Sequence, residues 1–88
     1  MDKLVVLRNR IDAIDENILK LLEKRGKISK KIGKVKKEDN KNPLDKKRWE
    51  EVLNHNLVKA ERLGLSKNFI RKLFQIIHQN SLKLQKNT

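Results

Sequence analysis

Two cations, an amide and a hydroxyl stand where the helical periodicity of this sequence calls for apolar side chains. Arg25 interrupts the first apolar seam. Lys36 follows eleven residues on, which is three helical turns and about 20° in azimuth, so the two side chains project along one stripe. Near the C-terminus the stripe Phe74-Ile77 passes into Ser81 and Gln85, an i, i+4 polar pair. Arg48 opens a further helical segment within a turn of Asp45. Polar groups at seam positions cost free energy unless they are paired. They are therefore either interface ion pairs and register-setting positions or the lining of a site for an anion. Arg8 adds a constraint: it lies 17 residues from Arg25, about 25 Å away on a straight helix. The two cannot grip one small anion from the same chain, so a site that uses both must take Arg8 from a partner chain.

Composition narrows the anion only so far. The 88 residues hold 23 basic and 11 acidic side chains, a formal net charge of +12, which attracts nucleic acid, acidic membrane or small polycarboxylates alike. The aromatic residues Trp49, Phe69 and Phe74 all fall on apolar faces, so the stacking platforms of a single-strand binder are missing. No apolar run nears the roughly 20 residues needed to span a bilayer, and the first residues lack the basic and long apolar regions of a signal peptide. Neither nucleic acid nor membrane is expected as a partner. With no cysteine there is no disulfide framework or thiolate metal site, which fits a reducing compartment and a cytoplasmic location. His55 and His78 form no recognisable metal-ligand pair.

The elements that must carry these residues are helices. Apolar residues recur at Leu4, Leu7, Ile11, Ile14, Ile18 and Leu21, and again at Ile28, Ile32 and Val35, a seam broken only where Arg25 stands. It predicts one helix over about 3–37, running through Gly26 and Gly33. A polar, proline-closed loop follows over 38–44. Asp45 caps a second helix over about 46–63, ended by Gly64, and Ser66 caps a third over about 67–85, with Lys86-Asn87-Thr88 expected to fray. The whole chain, 1–88, reads as one all-α domain. A seam of some 32 residues, about 48 Å long, cannot be covered by two partners of about 28–30 Å in a compact monomer. Dimerisation through helix 1 is the economical outcome.

The ordered set of residues resembles the AroQ-class, all-helical chorismate mutases. It opens with Leu7-Arg8-x-x-Ile11-Asp12-x-Ile14-Asp15-x-x-Ile18-Leu19-x-Leu21-Leu22-x-x-Arg25 and continues with Ile32-Gly33-x-x-Lys36, Pro43-x-Asp45-x-x-Arg48 and Gly64-Leu65. It closes with Leu73-Phe74-x-Ile76-Ile77-x-x-x-Ser81-x-x-x-Gln85, so the likeness covers residues 4–85. The resemblance implies an intertwined homodimer, a six-helix bundle with two shared active sites. It also implies a cofactor-free Claisen rearrangement of chorismate to prephenate. By the same resemblance Arg8 of the partner chain and Arg25 bind the substrate carboxylates, while Lys36 and Gln85 hydrogen-bond the ether oxygen. Asp45 helps seat the ring hydroxyl through its backbone, Arg48 lines the pocket and Ser81 touches a carboxylate.

One position departs. Directly after Arg48 the family usually carries a glutamate that reaches the ring hydroxyl, and here Trp49 stands in its place. Glu50 and Glu51 are turned away by about 100° per residue. Trp49 is expected to pack as core, with its indole N–H, a donor only, standing where the acceptor was. The same scaffold also serves an isochorismate–pyruvate lyase reaction, which Trp49 keeps open. A basic helical nucleic-acid binder and a purely structural dimerisation module are the readings from other classes, and the second leaves the polar seam positions unexplained.

Overall fold

Capping residues fix where each helix begins and ends in the computed structural model, which describes residues 2–87. All three elements are α-helices, and no strand occurs among the described residues. α1 spans Lys3–Glu38, 36 residues and about 54 Å, and starts where Asp2 accepts a hydrogen bond from the Leu4 N–H at 2.9 Å. At its end Asn40 takes the left-handed conformation (φ 54°). The Lys41 and Asn40 N–H groups turn back to the carbonyls of Lys36 (2.7 Å) and Lys37 (3.2 Å), satisfying acceptors that the helix end leaves open.

α2 spans Lys46–Arg62, with the Asp45 carboxylate accepting from the Arg48 N–H at 3.0 Å. It closes with the same reversal: Gly64 has φ 72°, a conformation in which glycine carries no steric penalty. There Leu65 N–H reaches the Ala60 carbonyl at 2.8 Å and Gly64 N–H that of Glu61 at 3.1 Å. α3 spans Lys67–Lys86, with Ser66 as N-cap to the Phe69 N–H at 3.2 Å and Asn87 as C-cap. Thr88, part of the stretch expected to fray, lies outside the described residues.

α3 is the central element and packs on both α1 and α2. Leu84 settles against the bare backbone of Gly26, 3.4 Å from where a Cβ would stand. The apolar core is small: among the described residues only Ala60 and Ile70 are buried hydrophobics, and no large side chain is fully enclosed. The described residues of α1 that are buried or half-buried, Arg25, Gly26, Ser29, Gly33 and Lys36, all fall in its C-terminal half. Along the other half Ile11, Ile14 and Ile18 remain 57%, 58% and 49% exposed.

The chain measures 58 × 26 × 15 Å with a radius of gyration of 16.4 Å, against about 12 Å for a compact chain of this length. Its accessible surface is 7585 Å², roughly 2,200 Å² more than a compact monomer of this mass exposes.

Candidate active site

The site lies where the covered half of α1, the loop before α2 and the last turns of α3 converge. Residues of all three helices line a cavity of ≈ 300 Å³, at the lower end of the range for small-molecule sites. Arg25, Lys36, Asp45, Arg48, Trp49, Ser81 and Gln85, singled out in the sequence, all face it. Arg8 does not; it sits exposed on the uncovered half of α1.

Lys36 is the best-anchored cation. The reversal after α1 brings the chain back so that the Pro43 carbonyl accepts from Lys36 Nζ at 2.6 Å. Gln85 Oε1 accepts from the same ammonium at 2.9 Å. An ammonium has three donors, so two of them fix its position and one remains. Gln85 Nε2 in turn donates to Ser81 Oγ at 3.2 Å, and the Ser81 and Ser29 hydroxyls share a buried hydrogen bond of 2.8 Å. This chain of contacts pins α3 to α1 and holds ammonium and amide side by side on the cavity wall. Ser81 is buried and committed to this pin. Asp45 is exposed, and its carboxylate caps α2. Arg48 is also exposed and makes only a loose pair with Glu51 at 3.7 Å, of the kind that contributes little to stability.

The lining therefore sets three cations, Arg25, Lys36 and Arg48, against one carboxylate, Asp45. Such a cavity attracts anions with two or more negative charges. The same field acts on His78, whose pKa is lowered by burial first, then by Arg25 and Lys36.

Trp49 departs from the expectation that it packs as core. It is half-buried in the cavity wall, its ring stacked on that of His78 with centroids 4.2 Å apart and planes 13° from parallel. Sequence reasoning passed over His78 and Ser29. The spacing of 78, 81 and 85 puts His78 on the stripe of Ser81 and Gln85, which is the signal that identifies it.

Known sequences resemble this chain over most of its length. The family described as chorismate mutase type II matches residues 7–86. A bifunctional chorismate mutase/prephenate dehydratase of Buchnera aphidicola subsp. Baizongia pistaciae is 34% identical over 94% of this chain and 22% of its own length. The protein of the same description from Escherichia coli K12 is 30% identical over 93% of this chain and 21% of its own. The chain thus spans about a fifth of the length of these bifunctional relatives. A chorismate mutase of Methanocaldococcus jannaschii is 28% identical over 98% of this chain and 87% of its own length.

Proposed function

The chain belongs to the type II chorismate mutase family, and from that premise we propose that it rearranges chorismate to prephenate in sites shared between two copies of the chain. The observation that carries the chemistry is the cationic cavity with Lys36 held between the Pro43 carbonyl and Gln85. The reaction is an intramolecular Claisen rearrangement. It needs no nucleophile and no proton transfer, only a compact conformer of a dianion and stabilisation of the charge that develops as the ether C–O bond breaks. Arg25 offers a planar fork suited to a carboxylate. Lys36 and Gln85 supply the ammonium and the amide toward the ether oxygen. Because both are fixed before substrate arrives, little reorganisation is needed at the transition state.

The shared site is proposed on two grounds. The surplus exposed surface, about 2,200 Å² per chain, matches what an obligate dimer buries. Arg8, about 25 Å from Arg25 along one helix, reaches a site of this size only from a second copy packed along α1. The resulting six-helix bundle would cover the exposed seam. Among the described residues no helix is long and apolar enough to cross a membrane; the proposal places the enzyme in the cytoplasm, in keeping with a chain that has no cysteine. Its product would feed phenylalanine and tyrosine synthesis, as the pairing with prephenate dehydratase in the bifunctional relatives suggests.

The test is to incubate the purified protein with chorismate and, separately, with isochorismate. Prephenate from the first is the expected outcome. Pyruvate from the second, without prephenate from the first, would move the assignment to the lyase reaction.

A further inference from the structure

We propose that His78, stacked on Trp49 in the cavity wall, is a substrate-binding residue whose imidazole accepts the hydrogen bond of the substrate's ring hydroxyl. This rests on the function proposed above and adds to it a residue and a pH response.

The reasoning starts from the donors and acceptors in the lining. Arg25, Lys36, Arg48 and the Trp49 indole can only donate. Most acceptors are engaged: the Pro43 carbonyl and Gln85 Oε1 by Lys36, Asp45 Oδ1 by the Arg48 N–H, and Ser81 Oγ by Gln85 Nε2, while one of the Ser29 and Ser81 hydroxyls accepts from the other. A hydroxyl entering such a cavity carries a proton to give and meets mostly donors. A buried hydroxyl without an acceptor is costly. His78 makes no hydrogen bond to the described residues, yet its ring is held in place by the stack at 4.2 Å. Parallel stacking uses the faces of the two rings and leaves the edges, where the imidazole nitrogens lie. A neutral imidazole offers one acceptor and one donor there.

Burial first, and then the charges facing it, favour the neutral form of His78. From α1 it meets Arg25 and Lys36; across the cavity stand Asp45 and Arg48 at the start of α2. α3 itself turns no other ionisable side chain into the cavity. The balance is cationic, so the ring holds its proton less readily than an ordinary histidine, in the direction that burial also drives. As pH falls, protonation removes the acceptor and adds a fourth cation. Bound substrate brings two carboxylates and pushes the other way. The hydroxyl's hydrogen bond to the neutral ring opposes that push in the complex, so the response is read on the acid limb of kcat/KM, which reports the free enzyme.

The experiment compares wild type with His78→Phe, which keeps a flat ring on Trp49 but has no acceptor, and with His78→Gln, which keeps one. Substrates are chorismate and an analogue lacking the ring hydroxyl, with thermal unfolding followed in parallel. His78→Phe should lower kcat/KM for chorismate by about tenfold, with His78→Gln falling between it and wild type. The acid limb should flatten in both variants. On the deoxy analogue wild type and His78→Phe should agree within about twofold. An equal loss on both substrates, or an unchanged acid limb, would overturn the assignment of His78 while leaving the mutase function intact. Should His78→Phe not fold, the acid limb of His78→Gln decides alone. Wild-type protein that forms no prephenate overturns the function, and this inference with it.

Discussion

From Leu4 to Leu21, and again from Arg25 to Lys36, α1 repeats the same three-and-four spacing, yet the two halves meet different surroundings. The N-terminal half is an unbroken apolar seam whose side chains are all exposed, Ile14 at 58%. The C-terminal half is broken by Arg25, with Lys36 on the same stripe, and it lies against α3 with Ser29 and Gly33 buried. An unbroken apolar seam needs only another apolar surface, which a second copy can supply. A seam broken by charges needs specific partners, and for Lys36 the chain supplies them itself through Pro43 and Gln85. On the proposed function, assembly and chemistry are thus written on one helix in different residue types.

The severest way to break this contrast is Ile14→Asp. In an isolated chain the substitution is at an exposed position and should change stability by no more than about 0.5 kcal/mol. In a dimer built on this seam it sets two carboxylates in an apolar interface, a cost of several kcal/mol unless they are paired. Sedimentation should show monomer, and prephenate formation should vanish. A variant that stays dimeric and active would show that the uncovered half has some other role.

Next in size is the loss of either arginine. Arg8→Ala and Arg25→Ala should each lower kcat/KM by about 10²-fold or more, the value of a charged hydrogen bond or two. Mixed, the two variants should regain about a quarter of wild-type activity, because half of the dimers are heterodimers with one intact site of two. Mixed dimers with no recovery would separate the two halves of α1 functionally.

Within the covered half, Lys36→Ala or Gln85→Ala should lower kcat by about 10²-fold, as for other preorganised donors. A change confined to KM would assign them to ground-state binding instead. The Ser29–Ser81 pin is a smaller effect. Ser29→Ala leaves Ser81 short of a partner and should cost about 1–3 kcal/mol, whereas the double alanine variant should recover part of it. Thermal unfolding of the three proteins measures the difference.

Much of this was legible from residue types. Asp45, Ser66 and Gly64 mark helix ends because each does there what its chemistry permits: two caps accept a hydrogen bond and the glycine takes a positive φ. Arg25, Lys36, Ser81 and Gln85 stood out because a polar group in an apolar stripe has to be accounted for. Other features left weaker marks. Periodicity gives a helix an apolar face but not the identity of what it faces, so the central place of α3 could not be read from the pattern. Asn40 took the left-handed turn inside a loop whose residues all suit turns. Trp49 counted as apolar, and its place in a cavity wall depends on the ring of His78 across the helix interface. His78 is amphipathic, and its only mark in the sequence is its place on the stripe of Ser81 and Gln85.

That stack gives the smallest and sharpest prediction, Trp49→Glu. The substitution restores a carboxylate next to Arg48, where the resemblance leads one to expect it. It also removes a stacked pair worth about 0.5–1.5 kcal/mol beyond the area it covers. Trp49 is only half-buried, so the total loss should stay below the roughly 3–5 kcal/mol of a fully buried tryptophan. Kinetically two effects oppose each other. The new carboxylate can accept from the ring hydroxyl, yet it displaces an acceptor already present in His78, so kcat/KM near pH 8 should stay within about threefold of wild type. The pH profile should move more. An anion close to His78 favours the imidazolium, against the lowering that burial, Arg25 and Lys36 impose. If His78 still contributes, its acid limb shifts to higher pH in Trp49→Glu. The double variant Trp49→Glu/His78→Phe should lose that limb while keeping most of the activity at pH 8, since the glutamate then supplies the only acceptor the hydroxyl needs. A double variant as impaired as His78→Phe alone would mean that the glutamate cannot reach the hydroxyl, and that the wall built by Trp49 and His78 holds the substrate in a pose of its own.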